Sequence, residues 1–223
     1  TLRGWADRLG ETMASVDDDF EFINLARRGL KTEEVRRQQL GAALELKPDL
    51  ASALVGMNDL LEPNFDAARY ERDLDSIVGP LREGGAVVLT ATYPDITMFS
   101  PLPGRFLKSV RGRLQAASEA VRRISARHGT LMLDADELPE AKERVIVSVD
   151  RLHPSPKGHV LVAQLFARKL EEHSGVPVPQ PEDGDVAGKL AQFRWLVRQF
   201  SPSEVGRFIY RFYLSPRRGP TSS

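Results

Sequence analysis

Hydrophobic and polar positions follow two alternating patterns over the first 175 residues. Short β-rich runs at 20–26, 51–56, 86–92 and 130–134 each precede a longer stretch with helical periodicity. Such alternation is typical of βαβ units built around a parallel sheet. The pattern predicts an α/β fold with helices packed on the sheet.

Three helices are well marked. Apolar residues at 107, 110, 114, 117, 121 and 124 recur every three or four positions, which lays one apolar stripe toward a sheet. Ser155 can cap a further helix, and Pro156 suits its first turn. Trp5, Leu9 and Met13 are four apart, so the chain opens on a helix with no strand before it.

Prolines at 177, 179 and 181 interrupt the pattern, so residues 176–185 are predicted to be a linker that ends the α/β domain of residues 1–175. Residues 186–223 then form a basic tail in which two short helices are predicted, at 190–200 and 204–214. The tail carries seven of the 16 aromatic residues.

The charge balance is uneven along the chain. Basic and acidic residues number 31 each, so the chain has no global basic field, and no nucleic-acid partner is predicted. The tail nevertheless holds seven basic residues against Glu204, a net charge of +6, which leaves −6 for residues 1–185. Two interpretations of the tail stay open: helices folded back on the domain, or a surface for an anionic membrane or a partner.

Cysteine is absent from the chain, which excludes disulfides, thiol nucleophiles and cysteine-bound metals. This composition fits a reducing, cytoplasmic compartment. Secretion stays open as well, because the sequence begins at Thr1 rather than at a methionine. No run approaches the ~18 apolar residues of a membrane span.

Polar and glycine residues cluster where two predicted strands end, which is where open α/β sheets place their sites. The first cluster, at 24–29, begins with Asn24 and ends at Gly29, where a glycine lets a ligand approach the backbone. The second runs from Gly56 to Asp59. Asn58 offers a neutral amide donor suited to an oxyanion, and Asp59 can hold the turn. Ordinary strand-to-helix turns would explain either cluster alone.

A third cluster precedes the capped helix. Asp150 and His153 are three residues apart and are followed by Pro154. A carboxylate at this spacing can fix the imidazole tautomer and stabilise the imidazolium, so His153 is a candidate general base. The other histidines, at 128, 159 and 173, lie in predicted helices or at their ends, and structural or solvated roles are expected for them.

Taken in order, the three clusters resemble blocks two, three and five of the SGNH (GDSL-type) hydrolases. The resemblance covers residues 1 to about 173, and the tail is similar to that of actinobacterial members. It implies a flavodoxin-like three-layer α/β/α fold with a parallel sheet, and a serine esterase or lipase-like acylhydrolase acting on a small-molecule ester. No metal or organic cofactor is implied.

The resemblance also implies a role for each matching residue. His153 would be the general base and Asp150 the residue that orients it. The Gly29 backbone N–H and the Asn58 side chain would donate to the oxyanion, with Asp59 in support.

The family's first block, a Gly-Asp-Ser turn that supplies the nucleophile, has no match in these 223 residues. Serines at 15, 52, 148 and 155 are poorly placed to replace it. The block would precede Thr1, together with the first central strand of the flavodoxin-like sheet. We therefore expect little or no hydrolysis from the 223 residues alone.

Two other classes stay open from the sequence. One is a non-catalytic module that binds an acylated or carbohydrate ligand, although such a module has no need of an oriented base. The other is a flavodoxin-like nucleotide or receiver domain, which is disfavoured because the sequence has no phosphate-cradling glycine loop.

Overall fold

The computed structural model describes residues 3–99, 104–148 and 153–182. Seven α-helices and three strands occur in this part of the chain. In chain order these are α1 (Trp5–Ala14), α2 (Thr32–Gln38), α3 (Leu40–Glu45), β1 (Leu50–Ser52), α4 (Met57–Leu60), α5 (Ala67–Glu83), β2 (Val87–Ala91), α6 (Gly104–His128), β3 (Leu131–Leu133) and α7 (Pro156–Ser174). Short 3-10 turns occur at Ile96–Phe99, Ala135–Glu137, Pro139–Lys142 and Arg144–Ile146.

The three strands form one parallel sheet in the order β1-β2-β3. Leu50 pairs with Val87, and Leu89 pairs with Leu131. This consecutive order is that of the last three strands in the flavodoxin-like order 2-1-3-4-5. The predicted α/β fold with a parallel sheet is confirmed.

The sheet separates two apolar layers, because successive side chains of a strand point to opposite faces. Val88 packs with α5 and α6 on one face. Leu89 packs on the other face with Leu9 of α1 and Phe166 of α7, and Phe166 is completely buried. The domain therefore has the three layers, helix, sheet and helix, that the resemblance implies.

The predicted helices are found where the periodicity puts them. The stripe on α6 is buried from Val110 to Ile124. At α7 the Ser155 hydroxyl accepts a hydrogen bond from the Gly158 N–H at 3.1 Å, and Pro156 is the first helical residue. The helix ends at Gly175, whose φ of 70° lies in the left-handed region that favours glycine.

The prediction of a strand at 20–26 is wrong, because this segment has no regular structure. A strand needs a neighbour for its N–H and C=O groups, and no described strand pairs with it. The Asn24 Oδ1 instead accepts from the Ala26 N–H at 2.9 Å, which turns the chain locally. Phe22 and Ile23 are each 43% exposed.

The predicted linker is described only as far as residue 182. Residues 176–182 contain no helix or strand, yet they lie along α7. The Gln164 Nε2 of that helix donates to the Pro181 carbonyl at 2.8 Å, and Val178 packs against the apolar layer. The tail helices predicted at 190–200 and 204–214 lie outside the described residues, as does Asp150. The domain boundaries and the tail's contacts stay predictions.

Among the residues that the structure describes, no helix has the length and apolar character needed to cross a membrane.

Candidate active site

Gly29 lies in a turn that leads into α2. Its φ of 79° is in the left-handed region, which a glycine adopts without strain. No atom lies within 4 Å of the position that a Cβ would take, so the backbone here is open to an approaching group. This environment suits the backbone N–H donor that the sequence predicted.

The second cluster follows β1 directly. Gly56, with a φ of 120°, precedes the single turn of α4, which contains both Asn58 and Asp59. A Cβ on Gly56 would lie 2.3 Å from the Tyr93 hydroxyl and 2.4 Å from the Tyr70 ring. Only a glycine fits, because both the backbone angle and the space exclude a side chain.

Hydrogen bonds join this turn to the segment that begins with Gly29. The Asn58 Nδ2 donates to the Leu30 carbonyl at 2.9 Å. The Asp59 Oδ2 accepts from the Thr32 backbone N–H at 2.9 Å and from the Thr32 hydroxyl at 3.0 Å. The structure thus joins the second predicted cluster to Leu30 and Thr32, which directly follow the first, although more than 20 residues of sequence separate them.

The amide of Asn58 has two N–H groups, and only one of them is used in this contact. The other N–H donates to no residue that the structure describes. Asp59 is half-buried, and that burial raises the pKa of its carboxyl group, while the hydrogen bonds from Thr32 act in the opposite direction. Through these two bonds Asp59 connects the α4 turn to the start of α2, and its support of the oxyanion site stays a prediction.

His153 is fixed at the entrance to α7 by its backbone. Its carbonyl accepts from the Ser148 N–H at 2.8 Å, and Pro154 forms an antiparallel bridge with Val147. A Cβ on Gly158 would lie 2.2 Å from the Ile146 carbonyl oxygen, so the first turn of α7 packs directly on the preceding loop. The pairing of His153 with Asp150, and its convergence with Asn58, stay predictions.

His159 is the fourth residue of α7, and it has a structural contact. Its Nδ1 accepts a hydrogen bond from the Trp5 backbone N–H at 3.2 Å. Burial is the main cause that lowers the pKa of His159 to about 4, and the positive charges of Arg8 and His153 add to it. The imidazole is therefore neutral near pH 7, with its hydrogen on Nε2.

The structural roles expected for two histidines are consistent with these contacts, since the His128 Nε2 also lies 2.8 Å from Asp75.

Two of the serine hydroxyls are bonded to the backbone. The Ser155 hydroxyl donates to the Val145 carbonyl at 2.6 Å while it caps α7, and the Ser15 hydroxyl donates to the Thr12 carbonyl at the end of α1.

Three residues in this region were missed by the sequence analysis. Thr32, which binds Asp59, is completely buried, and Tyr70 and Tyr93 lie beneath Gly56. The sequence gives no signal for these contacts, because each joins residues that are far apart in the chain.

Within 3–99, 104–148 and 153–182, no three histidine or carboxylate side chains are grouped so that they could hold a metal ion.

Comparison with known proteins identifies the family. Residues 1–161 match the model of the GDSL-like lipase/acylhydrolase family. The GDSL-like esterase Rv1075c of Mycobacterium tuberculosis is 33% identical over 132 residues, which cover 56% of this chain. The match spans 41% of that relative, so the chain corresponds to less than half of its length.

Solved structures show the same fold. The esterase EstA from a Pseudoalteromonas species superposes with a TM-score of 0.58 at 16% identity, covering 78% of this chain and 88% of its own. The acetylxylan esterase Axe2 from Geobacillus stearothermophilus gives a TM-score of 0.59 at 19% identity, covering 75% and 81%. Because the family model covers well over half of the sequence, the chain belongs to the GDSL-like lipase/acylhydrolase family, as its motifs predicted.

Proposed function

We propose that this chain carries most of the active site of a carboxylic ester hydrolase that works through a serine nucleophile. The observation that carries the proposal is the hydrogen-bonded contact between the Gly29–Thr32 segment and the α4 turn. The contact supports the proposal because the two candidate oxyanion donors, the Gly29 N–H and the Asn58 amide, belong to the two segments that it joins.

The oxyanion site has features that favour catalysis. Gly29 presents open backbone, and Asn58 is held by a hydrogen bond from one of its two N–H groups. Donors that are fixed before the reaction need no reorganisation when negative charge develops on the carbonyl oxygen. An Asn side chain is neutral at every pH, so this donor does not titrate.

His153 would act as the general base, with Asp150 orienting it. The serine hydroxyl attacks the ester carbonyl as His153 takes its proton, and the tetrahedral oxyanion is held by Gly29 and Asn58. The imidazolium then protonates the leaving alcohol, which forms the acyl-enzyme. Water attacks this ester with His153 again as base, and the carboxylic acid and the free serine are released.

The nucleophile is proposed to lie outside these 223 residues. Supporting this, Ser15 and Ser155 donate to backbone carbonyls, and Ser52 lies within β1. Loss of a triad nucleophile lowers turnover by up to about a millionfold, so the 223-residue chain alone should hydrolyse esters very slowly.

The test is hydrolysis of a p-nitrophenyl ester by the full natural protein and by two histidine variants. His153→Ala should lose on the order of 10⁴-fold or more in kcat, because the base is removed. His173→Ala is the matched control, since His173 is exposed in the last turn of α7, and it should retain full activity. Equal rates for the wild type and His153→Ala would contradict the proposal and favour a ligand-binding module.

A further inference from the structure

Two tyrosines beneath the α4 turn have no role in the reaction described above. Tyr93 lies two residues after β2, and Tyr70 lies in the first turn of α5. Their hydroxyl oxygens are 2.9 Å apart, and their ring centroids are separated by 6.5 Å. Tyr70 is 2% exposed, and Tyr93 is partly buried in the same apolar layer.

Both hydroxyls reach one acceptor, the backbone carbonyl of Val55. Tyr93 donates to it through a short hydrogen bond, and the Tyr70 hydroxyl lies 3.3 Å from it. The last described ladder bond from this strand to β2 is made by the Ala53 N–H, so the Val55 carbonyl lies beyond the ladder. The tyrosine pair supplies the hydrogen bonds that the sheet no longer provides there.

The contact continues to the next residue. Gly56 packs so closely on both tyrosines that a Cβ would overlap them, and it is the residue from which α4 begins. Asn58 follows two residues later, and its amide donates to the Leu30 carbonyl. The residue from which α4 begins is therefore packed directly on the tyrosine pair.

The two hydroxyls are suited to a permanent donor role. Loss of hydration raises the pKa of both phenols, and the nearby Asp59 carboxylate acts in the same direction. Both groups consequently stay protonated through the working range of an esterase. The Tyr93 backbone is itself fixed, because its N–H donates to the Ser118 hydroxyl of α6 at 3.1 Å.

We propose that Tyr93, supported by Tyr70, is a positioning residue for the oxyanion site: it holds the Val55–Gly56 peptide and thereby fixes the Asn58 amide. This inference rests on the function proposed above. Displacing a catalytic group by about 1 Å can cost on the order of a hundredfold in rate, so loss of one supporting bond should be visible in turnover.

The two hydroxyls are not equivalent, so removing one or the other should lower turnover to different extents. Removing the Tyr93 hydroxyl leaves Val55 with the longer contact at 3.3 Å, whereas removing the Tyr70 hydroxyl leaves the shorter bond in place. Tyr93→Phe should lower kcat by roughly tenfold with KM changed less than about twofold, and Tyr70→Phe should have a smaller effect of the same kind.

The deciding experiment combines these changes with Asn58→Ala in the full natural protein, using a p-nitrophenyl ester and following thermal unfolding of every variant. Asn58→Ala alone should lower kcat by roughly 10²–10³-fold. If Tyr93 acts through Asn58, adding Tyr93→Phe to Asn58→Ala should lower kcat no further. Should Tyr93→Phe fail to fold, Tyr70→Phe takes its place in the same cycle.

Thr90→Val is the matched control, because it removes a hydroxyl from a residue that is 1% exposed on β2 and bonded to Ser125 rather than to Val55. It should lower the unfolding temperature and leave kcat unchanged. Fully additive losses in kcat, or an equal loss in Thr90→Val, would overturn the positioning role alone. An unchanged kcat in Asn58→Ala would overturn the oxyanion assignment, and the positioning role with it.

Discussion

Arg122 and Asp134 form a two-bond ion pair between α6 and the end of β3. The Arg122 Nε and Nη2 donate to the two carboxylate oxygens of Asp134 at 2.6 and 2.7 Å. Asp134 also accepts from the Thr92 hydroxyl at 3.0 Å, next to the end of β2. Because the pair connects a helix with the carboxyl ends of two strands, it stabilises the end of the sheet at which the candidate site lies.

Replacing Arg122 should test this connection. We expect Arg122→Ala to lower the free energy of unfolding by about 1–3 kcal/mol, because Asp134 is largely shielded from water and loses two charge-assisted bonds. Arg123→Ala is the matched control: Arg123 also makes two bonds to one carboxylate, that of Glu71, at 3.0 and 2.6 Å, but its side chain is 52% exposed. It should cost less than about 1 kcal/mol in urea unfolding. Equal losses would contradict the prediction.

The same ion pair should make stability fall in acid. The hydrogen bonds from Arg122, first of all, lower the pKa of Asp134 to about 2 from its ordinary value of 3.8. Its contribution is therefore complete above pH 3.8 and is lost as the pH falls toward 2. Between pH 6 and pH 2.5, the free energy of unfolding should fall by about 2 kcal/mol less in Asp134→Asn than in the wild type. Urea unfolding at each pH measures this difference. Parallel profiles of stability against pH for the two proteins would contradict the prediction, because the Asp134 carboxylate would then not cause the loss of stability in acid.

As the pH falls, His159 should begin to lower the stability of the protein at a higher pH than Asp134 does. Because its pKa is lowered from 6.5 to about 4, its contribution is present above pH 6.5 and is lost as the pH falls through 6.5 toward 4. The loss is at most about 3 kcal/mol. In His159→Gln, which cannot titrate, stability should vary less over this range.

Proton NMR of the imidazole provides a direct check on the same group. The His159 ring should remain neutral until about pH 4, since burial and the charges of Arg8 and His153 outweigh the opposite effect of Asp7. A His159 titration centred near 6.5 would contradict the burial that the structure gives it.

Two glycines in helices should respond oppositely to alanine. Gly112, in α6, has no atom within 4 Å of a Cβ, so Gly112→Ala should stabilise the protein by up to about 1 kcal/mol through helix propensity. Gly158, in α7, lies against the Ile146 carbonyl, where a Cβ would be only 2.2 Å away. Gly158→Ala should therefore destabilise the protein, and it should lower activity because the loop bearing His153 must move. Stabilisation by both variants would contradict the close packing of α7.

The sequence predicted those parts of the fold that depend on local chemistry. The stripe on α6 and the Ser155 cap of α7 were both readable, since each involves residues within a few positions of one another. The segment 20–26 has a strand-like sequence but lacks a described neighbour, so its backbone turns instead. Strand formation depends on a partner, which the segment's own residues do not specify.

The candidate site was predictable only in part for a related reason. Gly29, Asn58 and Asp59 were identified by motif, and the structure supplies the contacts that join their segments. Thr32 and Tyr93 were not identified, because their importance arises only once distant segments pack together. No local pattern of residues signals a hydroxyl that bonds a carbonyl 38 positions away.

The pairing of α1 with α7 has a consequence for synthesis of the chain. The Trp5 N–H bonds His159, 154 residues later, and the Trp5 ring packs on Phe166 at 5.1 Å. During translation α1 can pack on the sheet through Leu9 and Leu89, but its contacts with α7 cannot form until residues 159 and 166 have left the ribosome. The part of α1 that Phe166 covers therefore stays exposed during most of synthesis, and exposed apolar surface of this kind favours aggregation of incomplete chains.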